Sequence, residues 1–437
     1  MRSFLSTALA LVLLTAAVHA VADDCPAQAT GHNAIFFHPD GTSAGHWDAM
    51  RLLYYGPDGQ SHWDRLPRMA AYRGHLSDQL SSTSNAGASI HATGTRTWSG
   101  AFGQDEEGNK LAAADGSTRT IMEQAVACGL RTALVQTGTL IEPGTAVFVA
   151  NARHRYLDAE SIALQVVESG VDILLGAGEE LLLPAGVQGR FGAGIRSDGR
   201  NLIDEARARG YAVVYTRDEL FALPADATRV LGVFNVEDSY FDQPEEDLRA
   251  AGLPNYLESA PTVAEMTRFA LDRLGKDERG LFMVIEEEGS DNFCNKRNAS
   301  GCLEAMKRAD DAIGVIVEFI ARNPETFMVT ASDSNAGGMQ IFEVDAPGVP
   351  IPAREDKTGA LLDGIDGSES APFLSAPDVE GRQFPFAVAW AVGDDTGSGV
   401  IARGAGLNAE TLVPASGVAN TDIYRMLYFT LFGEVLP

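Results

Sequence analysis

The chain has 437 residues, of which 45 % are hydrophobic and 21 % charged, a globular composition that excludes disorder. Its formal net charge of −27 excludes non-specific binding to nucleic acid or to an anionic membrane, and it favours the attraction of cations.

The first residues read as a secretory leader. Arg2 supplies the positive start, residues 9–17 form a short apolar run, and Ala20-Val21-Ala22 offers small residues for cleavage before Asp23. Residues 1–22 are therefore predicted to be a signal peptide, with a mature protein, residues 23–437, that is periplasmic or secreted. The run is too short to span a bilayer, and no later stretch is long enough either. Cys25, Cys128, Cys294 and Cys302 remain after export, an even count that favours two disulfides in an oxidising compartment. Four cysteines allow three pairings. The local pair Cys294–Cys302 is the favoured one, which leaves Cys25 with Cys128.

Beyond the leader, strand-length apolar runs alternate with helix-length amphipathic stretches. In chain order they predict a strand over 33–37, a helix over 44–54, a tightly packed small-residue helix over 86–94 and a helix over 118–127. A strand over 131–136, a helix over 159–169 and strands over 171–175 and 212–215 follow. The series closes with a helix over 262–274, strands over 281–285, 327–330 and 386–392, and helices over 303–321 and 421–432. Residues 224–261 are mixed, and residues 343–385, rich in Gly, Pro and Asp, show little periodicity. The expected fold is α/β: a three-layer sandwich with a central, mostly parallel sheet flanked by helices, plus an irregular insertion at about 343–385 near the active site.

In such sheets ligands bind beyond the carboxyl ends of the strands. The acids follow that rule. The first strand runs into Asp40, and the strand at 131–136 is followed by Glu142. The strand at 281–285 runs into Glu286, Glu287, Glu288 and then Asp291. The strand at 327–330 precedes Asp333, and the run at 386–392 precedes Asp394 and Asp395. Each acid alone reads as an ordinary turn residue. Together they imply metal ions, because clustered carboxylates repel unless protonated or bound to cations. Ser84, opening the small-residue helix, is placed where backbone amides and the helix dipole favour a phosphate, although an N-cap serine fits the same position.

The ordered motifs resemble those of the alkaline phosphatase family from about residue 33 to 433. Pro39-Asp40-Gly41 resembles the first metal-binding Asp-Gly. Ser84 through Ala92-Thr93-Gly94-Thr95-Arg96-Thr97 resembles the nucleophile helix, and Trp98-Ser99-Gly100-Ala101 continues the match. Glu142-Pro143-Gly144-Thr145 resembles the magnesium-site loop, and Arg155 falls where the phosphate-clamping arginine is expected. Phe282 through Asp291 resembles the strand with a metal-binding Glu and an Asp five residues later, and Asn420-Thr421-Asp422-Ile423-Tyr424-Arg425 the closing helix. The resemblance implies hydrolysis of small-molecule phosphate monoesters on a three-metal site, with a covalent phosphoserine on Ser84, and a homodimer by analogy.

The departures from the family pattern are specific. Asn295, Ser334 and Asp395 stand where the resemblance expects zinc-binding histidines, and no histidine follows His154. By the resemblance the metal sites would be Asp291, Asn295 and Asp395; Asp40, Ser84, Asp333 and Ser334; and Asp40, Glu142 and Glu286. Oxygen ligands favour Mg²⁺ or Ca²⁺, admit Mn²⁺ and disfavour Zn²⁺. Recruitment of an N-terminal histidine, among them His38, His91 or His154, is the alternative that would restore a zinc site. Thr83 replaces an Asp that helps to orient Arg155, and Gly144 replaces a hydroxyl ligand. A phosphodiesterase of the same superfamily and a non-catalytic metal- or phosphate-binding relative are the competing expectations. A formylglycine sulfatase is disfavoured by the missing Cys-x-Pro-x-Arg run.

Overall fold

The buried apolar runs assemble into a ten-stranded sheet, seen in a computed structural model that describes Cys25 and residues 28–437. The predicted leader lies outside the described residues. Across the sheet the strands run Val418–Ala419, Arg68–Arg73, Ile401–Gly406, Thr326–Thr330, Asn33–Pro39, Leu281–Glu287, Arg131–Thr139, Ile173–Ala177, Val230–Val233 and Ala212–Val214. All neighbours pair in parallel except Ile401–Gly406, which runs against both of its partners. Helices cover both faces, as the mostly parallel expectation requires.

Side-chain alternation divides the core in two. On the Asn33–Pro39 strand, Ala34 and Phe36 belong to one buried layer, while Ile35 and Phe37 belong to the other. The helix Val263–Leu274 shows how the covering layer forms. Thr262 and Glu265 close a capping box at its start, and Val263, Met266, Phe269, Ala270 and Leu274 then line one buried face at helical spacing. On the opposite layer, the helix Asn420–Phe432 packs on the small-residue helix Ser84–Thr93.

Cys25 is bonded to Cys128 and Cys294 to Cys302, matching the favoured pairing. Among the described residues, no helix is long and apolar enough to cross a membrane.

One expectation is corrected. The run predicted at 386–392 is not a strand of the main sheet. Pro385–Trp390 instead pairs antiparallel with Gln340–Glu343, Leu361–Asp363 and Phe373–Leu374 in a separate four-stranded sheet. A short apolar run carries no information about its partner, and this one buries Phe386, Ala387, Val388 and Trp390 against its own surroundings. The segment 343–385 contributes two short strands to that sheet, Leu361–Asp363 and Phe373–Leu374, and is otherwise largely without regular structure, as its composition suggested. The strands Arg68–Arg73, Val230–Val233, Ile401–Gly406 and Val418–Ala419 were not anticipated. Arg68–Arg73 is bracketed by arginines and buries only Ala70, and Val418–Ala419 has only two residues, so neither presents an apolar run of strand length.

Candidate active site

Four neighbouring strands deliver the site. In register, His38 lies opposite Glu286, Gln136 also lies opposite Glu286, and Phe37 lies opposite Thr330. The parallel strands end together, so the residues just past their carboxyl ends, Asp40, Glu288, Asp333 and Glu142, gather on one edge. Glu287, one residue out of phase with Glu286, is directed elsewhere and meets Arg308 at 3.2 Å.

Asp291 and Asn295 stand four residues apart on the helix Gly289–Asn295, hence on one face. The antiparallel pairing of Asp395–Thr396 with Asn335–Ala336 carries Asp395 to them. The Asn295 amide donates to Asp291 at 3.1 Å and to Asp395 at 3.1 Å, and its oxygen accepts from the Gly337 amide at 3.1 Å. To offer oxygen to a cation, this side chain must turn over and release Gly337.

Gly41 lets Asp40 and Asp291 sit side by side. Its φ is +65°, and a Cβ there would lie 2.4 Å from Asp291 Oδ1. The small-residue helix approaches just as closely, with the Gly87 face against the Asp333 side chain. Ser84, half-buried, opens that helix one turn earlier. Thr83 is its N-cap and receives the Ala86 amide at 3.3 Å.

The buried oxygens around Asp40 and Asp333 are poorly satisfied. Asp40 Oδ2, Asp333 Oδ2, both Glu286 carboxylate oxygens, Glu288 Oε2 and the Ser334 hydroxyl have no hydrogen-bond partner. Burial, then the neighbouring Asp333 charge, pushes Asp40 far above the usual carboxylate range. Burial and the Glu286 charge do the same to Glu288, and burial and Asp395 do it to Asp291. Asp395 is raised by burial and by Asp333. Asp333 alone is held low, against its burial, by the adjacent Asp40 carboxyl and the nearby His38 imidazole. A buried, mutually repelling and unsatisfied set of oxygen donors fits divalent cations. Of the groups of described residues that converge closely enough to share an ion, two contain Asp40: one adds His38 and Asp333, the other Glu286 and Glu288.

Arg155 forms an ion pair with Glu142. Glu142 receives the Thr139 hydroxyl at 3.0 Å on its other oxygen, so both of its oxygens are engaged. The partner that Thr83 cannot supply to Arg155 is thus present on a different loop. Two residues outside the expected ligand sets join the cluster: Glu288, and His38, which the sequence offered only as an alternative nitrogen ligand. The signal for His38 was parity, because a residue two before Asp40 on a strand faces the same way.

A family model described as alkaline phosphatase matches residues 31–366. An alkaline phosphatase of Escherichia fergusonii is 26 % identical over 390 residues, covering 80 % of this chain and 78 % of that one. A streptomycin-6-phosphate phosphatase of Streptomyces griseus is 26 % identical over 374 residues, covering 77 % and 80 % respectively. The solved Thermus thermophilus alkaline phosphatase superposes with a TM-score of 0.71 at 21 % identity, over 98 % of this chain and 97 % of that one, which establishes the shared fold.

Proposed function

The chain belongs to the alkaline phosphatase family and is a phosphoric monoester hydrolase, and we propose that it acts on small phosphate esters through a phosphoserine on Ser84. The observation that carries this reading is the convergence of unsatisfied carboxylates beside the helix that Ser84 opens, with Gly87 seated on Asp333.

Ser84 Oγ attacks phosphorus, the alcohol leaves with a proton, and water then attacks the phosphoserine to release inorganic phosphate and restore the hydroxyl. The first-turn amides of the Ser84 helix donate to phosphoryl oxygens. Arg155 presents its forked donors to two of them, oriented by Glu142. The cations, when bound, supply the positive charge that favours the serine alkoxide and the departing oxygen. Asp291, Asn295 and Asp395 would hold one; Asp40, Asp333, Ser334 and Ser84 a second; Asp40 and Glu286 a third, with Glu142 or Glu288 alongside. The all-oxygen first set favours Mg²⁺ or Ca²⁺. Export to the periplasm or medium is part of the same proposal, supported by the two disulfides and by the leader-like N-terminus.

The test is hydrolysis of a chromogenic phosphate monoester by metal-stripped protein, with Mg²⁺, Ca²⁺, Mn²⁺ or Zn²⁺ restored singly. Turnover should return with at least one ion and vanish in Ser84→Ala while cation binding persists. Ser84→Ala that turns over like wild type would overturn the phosphoserine.

A further inference from the structure

We propose that His38 supplies the nitrogen ligand of the central cation site, its Nε2 joining Asp40 and Asp333 where Ser334 provides no nitrogen. This rests on the cation-dependent reading above and changes the class of ion expected at one of its sites.

The imidazole of His38 is 0 % exposed and neither ring nitrogen has a hydrogen-bond partner. Nε2 lies 3.5 Å from Asp40 Oδ1 and 3.7 Å from Asp333 Oδ1. Those separations exceed the roughly 2.7–3.2 Å of an N–H···O bond. They approach the spacing of about 3.4 Å between two ligands that share a tetrahedral ion at about 2.1 Å. Nδ1 faces Glu286 Oε1 at 3.5 Å, beyond hydrogen-bond length, with a carboxylate thus placed behind the nitrogen that does not ligate. Closing that gap when an ion binds would supply the support usual for a metal-binding imidazole.

Packing holds the ring in this attitude. Phe36 stacks on it at 5.7 Å and 15°, and His91 meets it edge-on at 5.6 Å. His91 is itself tied to the Tyr72 hydroxyl at 2.6 Å. Gly144 makes the room: a Cβ there would lie 1.7 Å from Glu286 Oε1 and 2.6 Å from His38 Nδ1. The missing side chain at 144 and the imidazole at 38 are therefore one spatial exchange. A site of one imidazole and two carboxylates suits Mn²⁺, Fe²⁺, Co²⁺ or Zn²⁺ better than Ca²⁺.

The experiment is electron spin-echo spectroscopy on the full mature chain loaded with Mn²⁺. Histidine nitrogen modulation is expected in the wild type, should change frequency with ¹⁵N-histidine labelling, and should persist in His91→Phe. In His38→Gln the modulation should disappear and Mn²⁺ affinity should fall at least about tenfold. Adding Ser334→His to that variant should restore both. Should His38→Gln fail to fold, His38→Asn takes its place, and absence of coupling in the labelled wild type still overturns the assignment. Absence of histidine coupling in Mn²⁺-loaded wild type, or its survival in folded His38→Gln, would overturn the assignment. Ester turnover without nitrogen coupling would sink this proposal and spare the phosphatase reading. Coupling without turnover would do the reverse.

Discussion

Arg155 is locked to Glu142, and Glu142 is in turn held by the Thr139 hydroxyl at 3.0 Å. Both side chains are largely buried, so the pair fixes the guanidinium more firmly than a surface bridge would. Glu142→Gln keeps the shape and removes the charge. We expect inorganic phosphate to inhibit about tenfold more weakly, about 1.4 kcal/mol, with cation affinity little changed. A fall in cation affinity with phosphate inhibition intact would instead make Glu142 a metal ligand.

Gly41→Ala should damage the site more than the fold. The left-handed φ alone costs about 1–2 kcal/mol for an alanine, and the new Cβ must also displace Asp291. Calorimetric titration should show weakened cation binding, with a lowered melting temperature in the metal-free protein. Wild-type cation affinity in this variant would mean that Asp291 is free to move aside.

Removing metal should leave a protein whose stability depends on pH in a definite direction. Asp40, Glu288, Asp291 and Asp395 have folded-state pKa values above their unfolded ones. The folded state therefore binds more protons, and stability falls as pH rises through the shifted values. Cations remove that penalty. Each saturated site adds about 2.7 kcal/mol at one hundred times its dissociation constant. Melting with and without chelator from pH 5 to pH 9 should show a gap that widens with pH. A constant gap would argue against cations at these carboxylates.

A second pair of buried acids lies outside the site. Burial, then the charge of Asp363, pushes Glu245 up to about 9, while burial, with Glu246 nearby, pushes Asp363 up to about 7. Asp363 receives Trp390 Nε1 at 3.2 Å, and both acids receive the Ala299 amide, so the pair clips the smaller sheet to a long helix. Unfolded carboxyls titrate near about 4. The stabilising contribution is complete below that pH and is gone above about 9. Asp363→Asn should flatten the decline in melting temperature between pH 5 and pH 9. An unchanged slope would remove this pair as its source.

Much of the architecture was legible in the residues themselves. The strands at 33–37, 131–136, 281–285 and 327–330 each announce themselves as apolar runs ending in acids, and their parallel pairing then places Asp40, Glu142, Glu286 and Asp333 on one edge. Local periodicity sufficed there because burial on both faces demands unbroken apolar runs. The sequence by itself determined the layered α/β fold, the order of the motifs and the oxygen-rich donor set. Only the tertiary structure decided the partners. Glu142 meets Arg155, Glu288 and His38 join Asp40, and Pro385–Trp390 leaves the main sheet. Each depends on which distant strands become neighbours and in what register, and that choice is made by long-range packing that no local pattern encodes.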